Sequence, residues 1–381
     1  MRDYGIKITI FIILACILFQ GCKKKKPEEK DKLPQVDVEY LPSKALGLPA
    51  IPVPKNNPQT PEKIALGEKL YKDTRFSADK KVSCATCHDP QKAFVDSLPV
   101  SRGFKNKKGT RNAPTVINAV FYREQFWDGR RLTLEEQSKD PFLNKVEHAL
   151  SDHKQIIEII RSDKQYVDEF KKVFDVDANS ITIDHVAKAI ASFERTIIGG
   201  DTPFDKYRYG GDKKAISKAA IRGLKVFNSN GRCQECHTIG ETDALFIDNK
   251  YHNLGVGIIK YLPKLREIVA AYLKPDKEKT PADKKLLTDK VISELGRFVV
   301  TKKQEDIGAF KTPTLRNIAL TGPYLHDGSH KTLKEVILLY KRGGEKNPFL
   351  SGAIRELKLS NRDISDLIAF LKALTSPKFK K

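Results

Sequence analysis

Methionine is nearly missing from this chain of 381 residues: Met1 is the only one. Once a leader is removed, no thioether remains. Tryptophan is equally scarce, so any role that needs an indole falls on Trp127. Of six cysteines, Cys16 and Cys22 lie in the first twenty-two residues, and the other four form two pairs of identical spacing. That leaves no thiol for a nucleophile or a disulfide core. Strand-like alternation is sparse, and the apolar run from Ile8 to Phe19 is too short to span a bilayer comfortably. Acidic residues number 48 against 69 Lys and Arg, a formal charge of +21.

The four remaining cysteines stand in Cys84-Ala85-Thr86-Cys87-His88 and Cys233-Gln234-Glu235-Cys236-His237. In C-x-x-C-H the two thiols add to the haem vinyl groups and the adjacent imidazole ligates the iron. The alternatives are structural zinc and a pair of disulfides. Zinc would want further Cys or His ligands at finger-like spacing, and a C-x-x-C disulfide closes a very small loop. Two copies on one chain imply two covalently bound c-type haems, with His88 and His237 as proximal ligands.

Arg2 and Lys7 flank the apolar run, which ends at Gln20-Gly21-Cys22. This reads as a signal peptide over residues 1–21, with Cys22 lipidated as the first mature residue. An ordinary cleaved signal and an uncleaved anchor are the alternatives, and each exports the chain. Attachment of haem to C-x-x-C-H in bacteria takes place outside the cytoplasmic membrane. The expected location is the cell envelope or periplasm, with a lipid anchor at Cys22. Residues 23–32 are almost all Lys, Glu, Asp and Pro, so residues 22–45 are read as a solvated tether. With export and haem, the positive charge points to acidic protein surfaces or anionic membrane rather than nucleic acid.

The expected fold is mainly α, with two cytochrome c-like haem domains in one chain, over residues 46–205 and 206–381. The boundary falls in Asp201 to Asp212, rich in Gly, Asp and Tyr, which breaks the helical pattern. Ile64-Ala-Leu-Gly-Glu-Lys-Leu-Tyr71 precedes the first haem motif and Ala220-Ile-Arg-Gly-Leu-Lys-Val-Phe227 the second, as in a diverged repeat. Apolar spacing predicts further helices over Asp152 to Phe174, Ile183 to Thr196, Leu333 to Tyr340 and Ser360 to Leu374.

Arg111-Asn-Ala-Pro-Thr115, Phe126-Trp-Asp-Gly-Arg130, Tyr251-His-Asn-Leu-Gly255, Phe310-Lys-Thr-Pro-Thr-Leu-Arg-Asn317 and Gly322-Pro-Tyr-Leu-His-Asp-Gly328 follow in order. From about Pro52 to Leu374 the chain resembles the bacterial dihaem cytochrome c peroxidase and MauG family. The resemblance implies a peroxidatic N-terminal haem, a C-terminal haem that passes electrons or stores oxidising equivalents, and one calcium ion between them. It places Glu147 as proton shuttle, Gln137 as the residue that orients peroxide or water, and Pro141 between them. Glu135 and Glu136 are read as solvated helix residues. Trp127 matches the inter-haem tryptophan, and Asn112, Thr321 and Pro323 match the calcium ligands.

Two departures from the best-known peroxidases of the family stand out. Where those carry a histidine that closes the distal side of the first haem, the aligned residue is Phe104, and no histidine lies between His88 and His148. The closing ligand is therefore missing unless His148 replaces it. Fourteen residues beyond His326, where the axial methionine would stand, is Tyr340. MauG-like members carry a tyrosine there as axial ligand, and an anionic oxygen favours ferric iron. His252, His326 and His330 are the remaining histidine candidates. The expected function is reduction of hydrogen peroxide with electrons from a cytochrome c or copper protein. The alternatives are MauG-like oxidation of a protein substrate and a non-catalytic electron carrier.

Overall fold

Thr60 accepts the amide of Lys63 and Pro61 fills the first helical turn, which starts α1 (Pro61–Lys72). The computed structural model describes residues 37–43, 45–274 and 288–380. The leader, Cys22 and most of the charged tether therefore lie outside the described residues. A short antiparallel ribbon pairs β1 (Val38–Leu41) with β2 (Ile51–Pro54). From Val38 onward the chain forms one compact unit.

Haem-motif helix α2 (Cys84–Cys87) follows α1, and after a long loop come α3 (Leu134–Leu143), α4 (Lys154–Ser162), α5 (Lys164–Phe174) and α6 (Ile183–Glu194). The single helix expected over Asp152 to Phe174 is two. Asp163 turns out of helical geometry and its carboxylate caps the amides of Gln165 and Tyr166, so apolar periodicity runs across a real break. The segment Asp201 to Asp212, read as breaking the helical pattern, holds α7 (Pro203–Arg208). Its Phe204 is buried in the second core, and Asp205 forms a fully buried pair with Arg316 at 2.9 Å. Helix α8 (Lys218–Asn228) precedes the second haem motif. The helix Asn361–Lys372 starts at Ser360, whose hydroxyl accepts the amide of Asp363.

The repeat is visible in the packing. Helix α1 crosses α6 at Gly67, where an added Cβ would sit 1.9 Å from the carbonyl oxygen of Ala189. Helix α8 crosses the helix Asn361–Lys372 at Gly223, with the same 1.9 Å to Asp366. Only glycine lets the backbones approach this closely. Tyr71 meets Phe193 edge-on at 5.2 Å in one half, and Phe227 meets Phe370 at 5.1 Å in the other. One apolar core gathers residues between Leu66 and Ile197, a second those between Phe204 and Leu374, and a smaller third lies between Ile258 and Ile307. Among the described residues no helix is long and apolar enough to cross a membrane.

Candidate functional site

Each haem motif opens onto its own cavity. Cys84, Cys87 and His88 line the first, and Cys233, Cys236 and His237 line the second. None of these four cysteines forms a disulfide. Each histidine ring is set by its Nδ1, which bonds the carbonyl of Phe94 at 3.3 Å or of Phe246 at 2.9 Å. Nε2 is thereby left for a metal, and burial lowers both pKa values, favouring the neutral imidazole that binds iron. Paired thiols and an oriented imidazole on the wall of a large cavity fit a c-type haem in both places. For zinc, the one group of possible ligands among the described residues is Cys236, Asp248 and His252, within 4.8 Å of one another. It includes neither motif histidine, and nothing comparable surrounds Cys84.

The first cavity carries the groups expected opposite His88. Gln137, on α3, and Glu147, in the turn after it, both line it, with Pro141 between them. The Gln137 side chain makes no hydrogen bond to the described residues, so its donor and acceptor are free for a ligand. Glu147 is half-buried on the cavity wall. Burial pushes its carboxyl up to about 7, against the pull of Arg130 and of the Asn144 amide, which donates to it at 2.5 Å. Arg130 lies 3.4 Å over the Phe126 ring and pairs with Asp128. Burial alone would raise Asp128, but Arg130 and Arg111 overcome it and hold the carboxyl at about 2.

The loop over this cavity supplies no ligand. Phe104 donates its amide to the carbonyl of Glu147 at 2.8 Å, and its ring, flanked by Lys105 and Lys107, is not part of the cavity wall. His148 reaches the wall, but its Nδ1 is bound to the Phe76 carbonyl at 2.8 Å and its ring packs edge-on against Phe142. Glu135 and Glu136 are not the solvated residues expected. Glu135 accepts from Arg195 at 2.6 Å and from Asn57 at 2.8 Å, and Glu136 accepts the amide of Leu132 at the start of α3.

Trp127 lines both cavities, with its indole N–H donated to the Asn112 carbonyl at 2.9 Å. Tyr122, Lys311 and Pro313 share this partition. Lys311 was not singled out from the sequence, although it stands in the motif Phe310 to Asn317. It is buried, donates to the Glu124 carbonyl at 2.7 Å, lies 3.7 Å over the Tyr122 ring and is pushed down to about 7 by burial. Glu194, also missed, lines the first cavity and is pushed up to about 8 by burial. A signal for it existed: it stands four residues beyond Ile190 and eight beyond Val186, on the buried stripe of α6.

In the second cavity Tyr340 faces inward from the helix Leu333–Lys341, and its hydroxyl has no hydrogen-bond partner among the described residues. Burial raises its phenol well above the ordinary range, so the phenolate needs a cation beside it. Each competing histidine has one ring nitrogen bonded to another side chain. His252 bonds Asp248 at 2.7 Å and is pushed up to about 9 by Asp248 and then Cys236. His326 bonds Glu294 at 2.7 Å and stacks on Phe310, and His330 bonds Ser329 near the surface. Asn112, Thr321 and Pro323 all line this cavity. The Asn112 amide donates to the carbonyls of Leu98 and Pro99, which leaves its side-chain oxygen unpaired.

The family description for dihaem cytochrome c peroxidase matches residues 61–214. The cytochrome-c peroxidase IdrP1 of Pseudomonas sp. (strain SCT) is 35% identical over 86% of this chain and 84% of that protein. The chain belongs to the dihaem cytochrome c peroxidase and MauG family. The methylamine utilization protein MauG of Methylorubrum extorquens is 33% identical over 89% of this chain and 86% of its own length. The crystal structure of a MauG-like protein associated with microbial copper homeostasis superposes with a TM-score of 0.69 at 29% identity, covering 88% of this chain and 97% of that one. The diheme peroxidase BthA from Burkholderia thailandensis shares the fold, with a TM-score of 0.66. This dihaem protein is therefore a haem peroxidase, and the family implies two c-type haems, in keeping with the two cavities.

Proposed function

We propose that the protein is an exported peroxidase that reduces hydrogen peroxide in the His88 cavity, using electrons received from a small cytochrome c or copper protein by way of the His237 cavity. The asymmetry of the two cavities carries this reading. The first holds Gln137 and half-buried Glu147, whereas the one carboxylate lining the second is Glu235, exposed within the haem motif.

Bound haem would supply the iron that takes up peroxide and passes electrons to it. The rest is the work of side chains. One peroxide oxygen must lose a proton while the other gains one, and a carboxyl poised near neutrality serves both directions. Glu147 fits that task, steadied by Asn144. Gln137 offers both a donor and an acceptor to hold the peroxide or a water in place. Trp127, in the wall common to both cavities, offers an aromatic ring through which an electron passes between them. The Asn112 side-chain oxygen with the carbonyls of Thr321 and Pro323 suits a calcium ion, a hard cation that prefers oxygen. Cys22 would tether the protein to a membrane of the cell envelope.

Tyr340 favours a second reading, MauG-like oxidation of side chains on a partner protein, because a phenolate ligand holds iron ferric and makes it a poor acceptor for cytochrome electrons. Turnover of hydrogen peroxide with a reduced cytochrome c or copper protein tests the first reading. Failure of every such donor, with peroxide-dependent oxidation of a partner protein, would replace it by the second. An electron carrier without catalysis would have no use for Gln137 and Glu147 facing one cavity.

A further inference from the structure

We propose that Glu194 is a second proton carrier for the peroxide site, linking the first cavity to solvent through the seam between α3 and α6. The proposal rests on the reading of the Glu147 cavity as the place where peroxide is reduced. Reduction breaks one O–O bond and forms two O–H bonds, consuming two electrons from the redox partner and two protons from solvent. Peroxide's own two protons remain in the product waters. A carboxyl that only moves a proton from one peroxide oxygen to the other supplies none of the additional two.

Glu194 closes α6, is 6% exposed and lines the first cavity beside Cys84. Its Oε2 is buried without a hydrogen-bond partner, and no side chain among the described residues donates to it. An ionised carboxylate is costly in such a place, so the resting group is a neutral acid that carries a proton. Outward from it runs a polar seam. Arg195 gives Nη2 to Glu135 at 2.6 Å while its Nε and Nη1 remain unpaired, and Oε2 of Glu135 is unpaired as well. Buried polar atoms of this kind are usually bridged by water. Glu135 is 16% exposed at its side chain and also bonds Asn57, which in turn takes the Lys63 ammonium at 3.1 Å. Arg195 and Glu135 act on the Glu194 charge in opposite senses.

The internal repeat supplies a comparison within the molecule. Gly67 meets Ala189 and Phe193 across the first helix crossing, and Gly223 meets Asp366 and Phe370 across the second. The residue after Phe193 is Glu194, and the residue after Phe370 is Leu371, which is buried and lines the second cavity. The same position therefore packs well as a leucine. An acid stands there only in the half whose cavity consumes protons.

Two variants, Glu194→Leu and Glu194→Gln, test this in the protein carrying both haems. Proton uptake, followed by a pH-indicator dye when hydrogen peroxide is mixed with the reduced protein, should slow by a factor of ten or more in both. An infrared difference spectrum of the ferric protein between pH 6 and pH 10, about two units either side of the Glu194 transition at about 8, should lose a carboxylic C=O band in both, independently of turnover. Uptake at the parent rate in either variant, or persistence of every such band, would overturn the proposal. Glu147→Gln is run beside them. If it alone slows uptake, Glu194 is no carrier and the peroxide reading stands. If Glu147→Gln also takes up protons at the parent rate, both the reading and the proposal fall.

Discussion

Replacing Glu147 by glutamine should separate activity from stability in opposite directions. The side chain keeps its size and still accepts from Asn144, but it no longer titrates. Burial raises the carboxyl from 4.5 to about 7, a shift worth about 3 kcal/mol at roughly 1.4 kcal/mol per unit. The sign follows from linkage. The folded pKa lies above the unfolded one, so the contribution to stability is full below pH 4.5 and is lost as pH rises through about 7. At pH 8 most of the folded protein carries a partly desolvated carboxylate here, and Glu147→Gln removes that cost. The variant should therefore melt higher than the parent at pH 8, with the advantage shrinking as pH falls towards 5. Loss of the proton shuttle should meanwhile slow peroxide reduction by about 10² to 10⁴. In the parent, the rate should rise with pH through about 7, because the carboxylate is the form that accepts a proton from peroxide. Thermal melts at both pH values and stopped-flow mixing with peroxide check these outcomes together. A variant with both haems attached that reacts at the parent rate, or that gains no stability at pH 8, refutes the placement of Glu147.

The ferric protein should show a high-spin haem signal in its electron paramagnetic resonance spectrum, since Phe104 offers no lone pair and the His148 ring is held by the Phe76 carbonyl and packed against Phe142; two low-spin haems alone would rule this out. Tyr340→Met should raise the potential of the His237 haem by hundreds of millivolts, given the range that axial ligands span, and an unchanged spectrum and potential would mean that Tyr340 is not a ligand. Gly223→Ala should lower stability by at least about 1–3 kcal/mol, because its Cβ would meet the Asp366 carbonyl at 1.9 Å. A melting temperature equal to the parent's would show that the helix crossing is looser than described.

Haem attachment was legible in the sequence because everything it needs is contiguous: two thiols and an imidazole in five residues. Helices were legible where periodicity met a cap, as at Thr60 and Ser360, and they were misjudged at Asp163, where the apolar spacing continues across the cap. Glu147, Gln137 and Trp127 came from a resemblance in motif order, since neither periodicity nor composition marks them. Only the tertiary structure decided what surrounds them. It brings Lys311 to Glu124 across 187 residues and Arg195 to Glu135 across 60, puts Trp127 in the wall of both cavities, and sets the carboxyls of Glu147 and Glu194 on the wall of the first. A charged side chain reads the same in the sequence whether it ends in water or in a cavity. Its proton affinity, and with it its chemistry, is set by desolvation and by neighbours that the chain supplies from far away.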